Sequence, residues 1–397
     1  MKFRPDDNIC NAIIAVGYNR PNSLKRLLDS LNNSRYDDKV PLIISIDCSG
    51  NENVYSLANN YEWKHGNKYV IIQKERLGLK EHIYRCADLS KHFKSVTILE
   101  DDLLVSPYFY QYIKQTVAKY GDDENIAGIS LYRNEHNGYN GLPLYFLNTG
   151  HDVFAYQSTS TWGETFTWQM WNGFRTWLST WDENFIDVDM YQTIKDWKQA
   201  WSKYYEAYII LNNKYFIYPY LSVSTNNNDA GEHVTAKDVN NSWQTELLFG
   251  QKIFNLPDFD DLIRFDTYAQ CELLKNIFNF QNLAIDLNGN RENINKYNYL
   301  LSVRNLNKKI IKSYGLRLRP IELNVLMEIP GNEIYLYDLT QNHINIFFSS
   351  YNRLLTDYYI REFDRKALLN KSVRLQLIHY QSWLQRFWRR LKSFISQ

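Results

Sequence analysis

Three adjacent carboxylates, Glu100, Asp101 and Asp102, follow directly on a short apolar run in the stretch TILEDDLLVSPYF, residues 97–109. Such a run is typical of a buried strand, and charged groups at its end lose hydration unless a positive partner meets them. A divalent cation that carries a phosphate ester is the usual partner. The stretch therefore favours a fold in which a buried strand ends at a binding site.

Apolar runs alternate with helical patterns through the first part of the chain. Runs without a helical period indicate strands at residues 10–16, 40–46, 69–73 and 96–99. Amphipathic patterns indicate one helix that begins at Pro21 and another over residues 79–93. This alternation predicts an α/β fold with a doubly wound, mostly parallel sheet flanked by helices. Ligands bind at the carboxyl ends of strands in such sheets, so the residues that follow the strands are expected to line one crevice.

The rest of the chain divides into further parts. Strands are expected at residues 126–131 and 215–224 and a helix over residues 197–212. The composition becomes rich in Asn, Leu and Tyr after Gly250, with strand-like pieces at residues 333–339 and 344–349. We therefore expect an α/β domain over residues 1–250, an appended lobe of unassigned role over residues 251–370, and a terminal helix over residues 371–397.

The terminal segment, residues 371–397, is basic, contains no acidic residue and carries Leu, Phe and Trp at helical spacing. A basic amphipathic helix of this composition suits an anionic membrane surface. A helix that simply docks on the lobe explains the same pattern, so both interpretations stay open. The first interpretation places the protein peripherally on the inner face of the plasma membrane.

Charge and cysteine content exclude several classes of function. The 397 residues include 45 basic and 44 acidic side chains, so a nucleic-acid-binding surface is not expected. Four cysteines without paired spacing indicate neither a zinc site nor a disulfide framework, and they favour a reducing compartment. The sequence shows no secretion signal and no run long enough to span a membrane, which predicts a cytoplasmic location.

The acidic triplet suits a hard cation, Mg2+ or Mn2+, because carboxylate oxygens bind such ions and leave positions for phosphate oxygens. A nucleotide-sugar donor needs this help, since its diphosphate leaving group gains charge as the glycosidic bond breaks. Side chains alternate after a strand, so Glu100 and Asp102 point one way and Asp101 the other. We expect Asp102 to bind the cation, Asp101 to lie near the ribose or the sugar, and Glu100 to orient the other two.

Three segments together resemble a known family: IIAVGYNRPNSLKRLLDSL, IISIDCSG and ILEDDLLVSPYFYQYI. They are similar to nucleotide-sugar glycosyltransferases of the GT-A fold. The resemblance is to the family 2-like branch shared by N-acetylglucosaminyltransferase I and bacterial capsular and lipopolysaccharide glycosyltransferases. The similarity is densest over residues 9–135, continues through STWGETFTWQMW at residues 160–171 and fades near residue 240. The lobe lies outside it.

The resemblance implies roles at the donor site. Val16, Tyr18 and Arg20 would wrap the uridine, with Arg20 near the phosphates. Asp47 would hydrogen-bond the base, which favours a UDP donor. Lys80, in a segment that resembles the family's Gly-Leu-Lys element, would lie beside the donor.

The resemblance also implies a metal site. Asp102 would be the metal contact. His233 follows a strand in a loop that contains acids and glycine, and it matches a late histidine that closes on the metal or the diphosphate. A lone histidine is otherwise more often structural, so both roles are open for His233.

The base that activates the acceptor hydroxyl is less clearly marked. An inverting transfer needs a carboxylate that removes the hydroxyl proton as the oxygen attacks the anomeric carbon in line. The family has an aspartate before a Trp-rich helix, and Asp196 is the nearest match. Glu206 is an alternative, as is Glu164, which replaces an aromatic residue of the family's Trp-rich run. Each of the three also suits a solvated acid on a helix face.

The sequence thus predicts a metal-dependent, inverting hexosyl- or N-acetylhexosaminyltransferase of bacterial type. It would move a sugar from a UDP-sugar to a surface glycan or a lipid-linked acceptor. A nucleotidyltransferase on a similar sheet is an alternative, but residues 17–20 lack the Gly-rich basic loop that cradles a triphosphate. A non-catalytic glycan-binding protein is a second alternative.

Overall fold

A computed structural model describes residues 3–231 and 243–360 of the chain. The strands are β1 Asn11–Gly17, β2 Leu42–Ile46, β3 Lys68–Ile72, β4 Ser95–Glu100, β5 Leu103–Val105, β6 Ile126–Ser130, β7 Val153–Tyr156, β8 Glu164–Phe166, β9 Tyr215–Pro219, β10 Ser224–Asn226, β11 Arg264–Phe265, β12 Leu283–Asp286, β13 Tyr299–Ser302, β14 Lys308–Tyr314 and β15 Ile334–Asn342. The helices are α1 Pro21–Asn32, α2 Glu52–Asn60, α3 Leu79–Ala87, α4 Phe109–Tyr120, α5 Trp168–Leu178, α6 Gln192–Lys195, α7 Trp201–Leu211, α8 Leu273–Ile277, α9 Leu323–Leu326 and α10 Tyr351–Ile360. Short 3-10 helices lie at Pro5–Ile9, Asp88–His92, Phe259–Asp261 and Ile294–Lys296.

Nine strands form the main sheet, in the order β11, β7, β9, β6, β8, β4, β1, β2 and β3. Strands β1 to β4 are parallel to one another, whereas β8 runs antiparallel between β4 and β6. Every residue of β1 and β2 is buried, as in strands covered by helices on both faces. The predicted α/β class, a mostly parallel sheet flanked by helices, is confirmed.

Helix α1 begins at Pro21, which suits a first turn because its missing N–H would have no partner there. All leucine side chains of α1 are buried, and the helix packs beside β1 and α2. The chain therefore leaves β1 at Gly17 and turns back along the sheet at once. That short turn leaves residues 18–20 at the carboxyl end of β1.

Two predicted helices are shorter than the sequence pattern indicates. The helix expected over residues 79–93 ends at Ala87 and continues as a 3-10 helix. The helix expected over residues 197–212 begins only at Trp201. The ammonium group of Lys203 donates to the carbonyls of Lys195 at 2.5 Å and Trp197 at 3.0 Å, and these bonds stabilise a turn between α6 and α7.

The strands expected at residues 215–224 and 344–349 also differ. The first is interrupted after Pro219, and β10 then pairs antiparallel with β5 in a two-stranded sheet. Residues 344–349 form no strand. The side chain of Asn345 instead donates to the carbonyls of Leu306 at 2.9 Å and Lys308 at 2.7 Å, so side-chain bonds replace a strand ladder.

The lobe has a sheet and a core of its own. Strands β12, β13, β15 and β14 form a four-stranded sheet in that order. Strand β11 belongs to the main sheet, so residues beyond 250 complete the α/β domain. Residues 371–397 lie outside the described part of the chain. Among the helices described, none combines the length and the apolar character needed to cross a membrane.

A buried ion cluster joins the lobe to the α/β domain. Arg291 is 4% exposed, and its guanidinium contacts Asp266, directly after β11, and Asp189 at 2.9 Å. Its Nε donates to the carbonyl of Ile285 in β12 at 2.9 Å. The arginine therefore neutralises two carboxylates of one part of the chain while its backbone belongs to the other.

Replacing Arg291 by Ala should destabilise the protein strongly, because two carboxylates would lose their buried counter-charge. We expect the free energy of unfolding, measured by urea denaturation, to fall by about 3–5 kcal/mol. Lys25→Ala is the matched control, since Lys25 pairs with Asp29 on the surface of α1 at 2.5 Å and such pairs contribute about 0–1 kcal/mol. Equal losses of unfolding free energy in the two variants would show that the cluster holds the lobe to the α/β domain no more strongly than a surface ion pair does.

Candidate functional site

A cavity of about 360 Å3 opens at the carboxyl ends of β1, β2 and β4. It is lined by Val16, Gly17, Tyr18, Asn19, Arg20, Asp47, Arg76, Gly78, Leu79, His82, Glu100, Asp101, Asp102, Asp229 and Gly231. The structure thus brings together the predicted site residues Val16, Tyr18, Arg20, Asp47, Glu100, Asp101 and Asp102. Their convergence follows from the parallel order of the strands that precede them.

The guanidinium of Arg20 lies among the acids that follow β4. Its Nε donates to Asp101 at 3.3 Å, and its Nη2 contacts the other oxygen of Asp101 and, at 3.2 Å, Asp102. Strands β1 and β4 are neighbours with Val16 opposite Glu100, and this register brings Arg20 to the acids. Part of the positive charge that the acids require therefore comes from the chain itself.

Asp102 differs from Asp101 in having an unused oxygen. Its Oδ2 accepts from Arg20, whereas its Oδ1 is buried and has no hydrogen-bond partner in the described parts of the chain. A carboxylate oxygen without water or a donor costs free energy. This oxygen fits a hard cation, which prefers carboxylate ligands.

Asp102 does not belong to a complete set of protein ligands in the described chain. Within residues 3–231 and 243–360, no three His, Cys, Asp or Glu side chains are arranged to hold a metal ion. The second predicted ligand, His233, lies outside those residues. The described residues alone therefore leave the set incomplete, and phosphate oxygens or water are suited to complete it around a cation at Asp102.

Burial makes the first two acids weak. It raises the pKa of Glu100 to about 8, and the neighbouring charges of Asp102 and Asp101 add to the effect. Burial also raises the pKa of Asp101 to about 6, although its hydrogen bonds to Arg20 oppose that rise. At neutral pH the cavity therefore carries less negative charge than the count of its acids suggests.

Asp47 lines the cavity, but backbone amides engage its carboxylate. Its Oδ1 accepts from the N–H groups of Cys48 at 2.8 Å and Leu77 at 2.9 Å, and its Oδ2 accepts from Gly78 at 3.0 Å. Gly78 has a φ of +76°, which glycine adopts without strain, and it directly precedes α3. Asp47 thus stabilises the turn into α3, and its contact with a base stays a prediction.

Lys80 does not line the cavity. Its ammonium group lies 3.5 Å from the centre of the Tyr204 ring, in a cation–π contact between α3 and α7. Arg76 lines the cavity instead, with its guanidinium 5.0 Å from the centre of the Tyr18 ring. The segment predicted to lie beside the donor thus reaches the cavity through Arg76 rather than Lys80, with the turn at Gly78 between them.

The loop after β10 supplies residues that the sequence analysis missed. Asp229 lines the cavity, forms an ion pair with Arg26 and accepts from the side chain of Asn227 at 3.1 Å. Arg20 donates to the carbonyl of Ala230 at 3.4 Å. Hydrogen bonds from Ser23 and Arg26 lower the pKa of Asp229, although burial acts in the opposite direction. The acidic residues and the glycine of this loop were the sequence signal for these contacts, but the prediction used them only to support a role for His233.

His82 is a further cavity residue that no sequence pattern indicated. It lies on the buried face of α3, and its Nε2 is 2.7 Å from the hydroxyl oxygen of Ser45 in β2. Burial lowers the pKa of His82 to about 4, so the imidazole is neutral at physiological pH. Its neutral form adds no positive charge to the acidic wall.

Glu164 is a buried acid in the sheet next to the cavity, not a solvated one. It is 1% exposed and lies in β8 opposite Ile98, two residues before Glu100. Both carboxyl oxygens are buried and have no hydrogen-bond partner among the residues described. Burial, together with the charge of Glu100, raises its pKa well above the usual range and so favours the protonated side chain.

The other two predicted bases lie away from the cavity wall. The Oε2 of Glu206 accepts from the N–H of Thr159 at 2.7 Å, and its Oε1 accepts from the hydroxyl of Thr267 at 2.9 Å. Asp196 is exposed at the end of α6, where it accepts from Gln192 at 2.9 Å. Glu206 therefore bridges two loops, and Asp196 fits the interpretation as a solvated acid.

Residues 12–191 match the family model described as glycosyl transferase family 2. Residues 12–191 therefore resemble a glycosyltransferase domain of this type. The match covers β1 to β8 and therefore the cavity residues from Val16 to Asp102. The predicted resemblance to family 2-like glycosyltransferases is thereby confirmed. No curated protein matches the chain significantly.

Solved structures that resemble the chain include two glycosyltransferase complexes. The mannosyltransferase PcManGT from Pyrobaculum calidifontis, in complex with GDP-Man and Mn2+, aligns over 41% of this chain and 46% of its own, with 16% identity and a TM-score of 0.30. S. aureus TarS, in complex with UDP-GlcNAc, aligns over 56% of this chain and 60% of its own, with 13% identity and a TM-score of 0.37. The chain thus covers less than two thirds of either structure.

The buried carboxyl of Glu206 should make stability depend on pH. Burial raises its pKa to about 7, whereas Glu in an unfolded chain titrates near about 4.3. The folded state favours the protonated form of Glu206. The contribution of this carboxyl to the free energy of unfolding is therefore full below its pKa in the unfolded chain, and it is lost as the pH rises through about 7. Glu206→Gln keeps an acceptor for Thr159 and a polar partner for Thr267, but it does not titrate.

We therefore expect the Tm of Glu206→Gln, relative to the unsubstituted protein, to rise by about 2–4 °C between about pH 5 and about pH 8. Thermal unfolding followed by circular dichroism measures this difference. Glu81→Gln serves as control, since Glu81 is an exposed acid paired with Arg85 at 3.0 Å. A Tm difference for Glu206→Gln that stays constant over this range would show that the carboxyl does not titrate as expected.

Proposed function

We propose that this glycosyltransferase moves a sugar from a UDP-sugar to a glycan acceptor with the help of a divalent cation, Mn2+ or Mg2+, bound through Asp102. The observation that carries the proposal is the buried Oδ1 of Asp102, which no described residue satisfies. The transfer is proposed to be inverting, and the sugar a hexose or an N-acetylhexosamine, on the strength of the sequence resemblance.

The charges of the cavity support the need for a cation. The cavity wall carries Asp47, Asp102 and Asp229, together with the weakened acids Glu100 and Asp101, against two arginines, Arg20 and Arg76. Arg20 is already bonded to Asp101 and Asp102. A diphosphate beside these carboxylates needs additional positive charge. When bound, a divalent cation supplies this charge and stabilises the diphosphate as a leaving group.

Tyr18 and Arg76 provide the part of the wall that suits a nucleotide. Their cation–π contact pairs a flat aromatic ring with a planar guanidinium, and both line the cavity. A ring can stack on a base, and an arginine can bind phosphate oxygens through two N–H groups. We therefore assign these two residues to the donor, with Arg76 in the role first expected of Lys80.

An aromatic cluster of Tyr132, His136, Trp162 and Trp243 suits the acceptor. Trp162 contacts Tyr132 and Trp243, with ring centres 4.7 Å and 5.3 Å apart, and His136 stacks on Trp243 at 4.9 Å. Trp162 and Trp243 are partly exposed. Flat aromatic faces with polar groups around them are typical of pockets for small polar ligands, and they match the apolar faces of sugar rings.

The aromatic cluster lies next to the acids through β10. The hydroxyl of Ser224, the first residue of β10, donates to the carbonyl of Trp162 at 2.7 Å. Strand β10 pairs with β5, which follows Asp102 in the chain, and the carbonyl of Asp102 accepts from Asn227 at 2.7 Å. A sugar on the cluster would therefore lie near the donor cavity. We assign the acceptor to this side of the site.

In the proposed reaction, an acceptor hydroxyl attacks the anomeric carbon in line with the departing diphosphate, and a carboxylate takes its proton. The assignment of that base to Asp196, Glu206 or Glu164 stays a prediction. Of the three, Glu164 lies next to the acids, through its pairing with Ile98 on β4. Burial favours its protonated form, so it would have to lose a proton before it could act as a base.

The identity of the acceptor and the location of the enzyme rest on sequence. We propose a surface glycan or a lipid-linked sugar as acceptor, and peripheral attachment to the inner membrane face through residues 371–397. The basic and aromatic composition of that segment supports the attachment.

Asp102→Asn should abolish metal-dependent binding of the donor, because the amide keeps the shape of the side chain but removes its charge. We expect UDP and a matching UDP-sugar to raise the Tm of the unsubstituted protein with Mn2+ but not with EDTA. A ligand about 100-fold above its Kd stabilises the folded state by about 2.7 kcal/mol. Asp102→Asn should lose this shift while it keeps its own Tm without ligand.

Asp258→Asn is the matched control, since Asp258 is an exposed aspartate paired with Lys119 outside the cavity. It should retain the full metal-dependent shift. A full shift in Asp102→Asn would refute the metal assignment. The proposed donor is wrong if no UDP-sugar raises the Tm of the unsubstituted protein. It is also wrong if the protein releases pyrophosphate from a nucleoside triphosphate.

Trp243→Ala should weaken the binding of the acceptor and leave the binding of the donor unaffected. Removal of one stacked ring is expected to raise the acceptor KM about tenfold, with the donor KM within about twofold of its original value. Initial rates measured against each substrate in turn give both constants. Trp168→Ala is the control, because Trp168 is a partly exposed tryptophan at the start of α5. Equal acceptor KM values in the two variants would contradict the acceptor assignment.

A further inference from the structure

A stripe of three large apolar side chains projects from the lobe into solvent. Ile344, Ile346 and Phe348 follow the end of β15 and are 85%, 83% and 101% exposed. They alternate with Asn345 and Phe347, which are less exposed, so three of the four large apolar side chains of this segment face solvent. An ordered patch of contiguous apolar side chains on a surface marks an interaction site more often than scattered single residues do.

The two less exposed residues hold this segment, residues 343–348, against the lobe. Asn345 donates to the carbonyls of Leu306 at 2.9 Å and Lys308 at 2.7 Å. Phe347 contacts the ring of Tyr335 in β15, with ring centres 5.4 Å apart. Because these contacts fix the backbone on both sides of Ile346, the outward direction of the stripe is a property of the fold.

Lysines lie beside the stripe on β14, the edge strand of the lobe sheet. The ammonium group of Lys308 donates to the side-chain oxygen of Asn342 at 2.7 Å, and that of Lys309 donates to Gln341 at 3.3 Å. Both partners are neutral amides. The carboxylate of Asp338, which pairs with Lys309 across the strands, accepts from Thr340 and Gln341. Positive charge therefore borders the apolar stripe.

We propose that residues 343–348 together with Lys308 and Lys309 form a lipid-binding surface that inserts into an anionic bilayer. Bulky apolar side chains flanked by lysines match the boundary between acyl chains and acidic headgroups. A second copy of the chain fits less well, since lysines on an edge strand oppose strand pairing between copies. The proposal does not depend on the donor site, and it concerns other residues than the terminal segment 371–397.

The test is sedimentation of the full chain with vesicles of phosphatidylcholine alone or mixed with phosphatidylglycerol. We expect binding to the mixed vesicles, and Ile344→Ser, Ile346→Ser and Phe348→Ser combined should lower the partition coefficient about tenfold or more. Lys308→Gln with Lys309→Gln should weaken binding to mixed vesicles only, and high salt should remove the difference.

A matched control removes two isoleucines and one phenylalanine from the α/β domain. Ile186, Phe249 and Ile253 are 85%, 77% and 90% exposed, and their combined replacement by Ser should leave vesicle binding unchanged. Circular dichroism and Tm verify that each triple variant is folded. The proposal is overturned if the lobe variant binds as the unsubstituted protein does, if the control loses as much binding, or if no vesicle is bound. A dimer that light scattering detects and the lobe variant abolishes, with vesicle binding intact, would assign the stripe to a second copy.

Discussion

The contact between Arg20 and the acids after β4 is the interaction on which the site depends. It joins residues that are 81 positions apart in the chain, so no local segment can form it. It requires that β4 insert beside β1, on the side away from β2, as the sheet order shows. The guanidinium opposes the burial that weakens Asp101, whose pKa nevertheless reaches about 6. Without the arginine, three neighbouring carboxyls would face one another in a largely buried cavity, and their repulsion would favour protonation.

Arg20 leaves one of the neighbouring carboxylate oxygens without a hydrogen bond. It bonds both oxygens of Asp101 but only one of Asp102. The remaining oxygen of Asp102 is buried without a described donor, as are both oxygens of Glu164 nearby. A fold tolerates such a cost when a ligand removes it or when a site needs a poised group. At Asp102 a cation can remove it, whereas at Glu164 protonation, which burial favours, would reduce the cost without any ligand.

Much of the α/β domain could be predicted from the sequence, because its signals are local. A buried run such as that of β1 and a proline start such as that of α1 each depend on a few neighbouring residues. The convergence of Arg20 with Asp102 followed from strand order alone. The directions of individual side chains could not be predicted in this way. Lys80 points to Tyr204 and Arg76 to the cavity because the turn at Gly78 sets the orientation of α3.

Acids were the hardest residues to assign, since a sequence does not show which of them lose water. Glu206 and Glu164 have the same chemistry, yet one accepts hydrogen bonds from two threonines and the other has none from the described chain. The alternation at residues 344–349 misled the strand prediction for a related reason. A period of two residues indicates an extended backbone, but it does not tell which side faces the core or whether a partner strand is present.

The ion cluster at Arg291 gives the lobe a defined position relative to the cavity. A hydrophobic contact can slide by small steps, but Arg291 cannot move away from Asp266 without depriving this buried carboxylate of its ion pair. The stripe at residues 343–348 is in turn held to the lobe by Asn345. A chain of fixed contacts thus runs from the lobe surface to the end of β11 in the main sheet. A surface that bound a bilayer through this lobe would therefore hold the cavity in one orientation to the membrane, which a flexible tether cannot do. For an enzyme whose acceptor lies in or on that membrane, such an orientation would lower the entropic cost of bringing the acceptor hydroxyl to the donor.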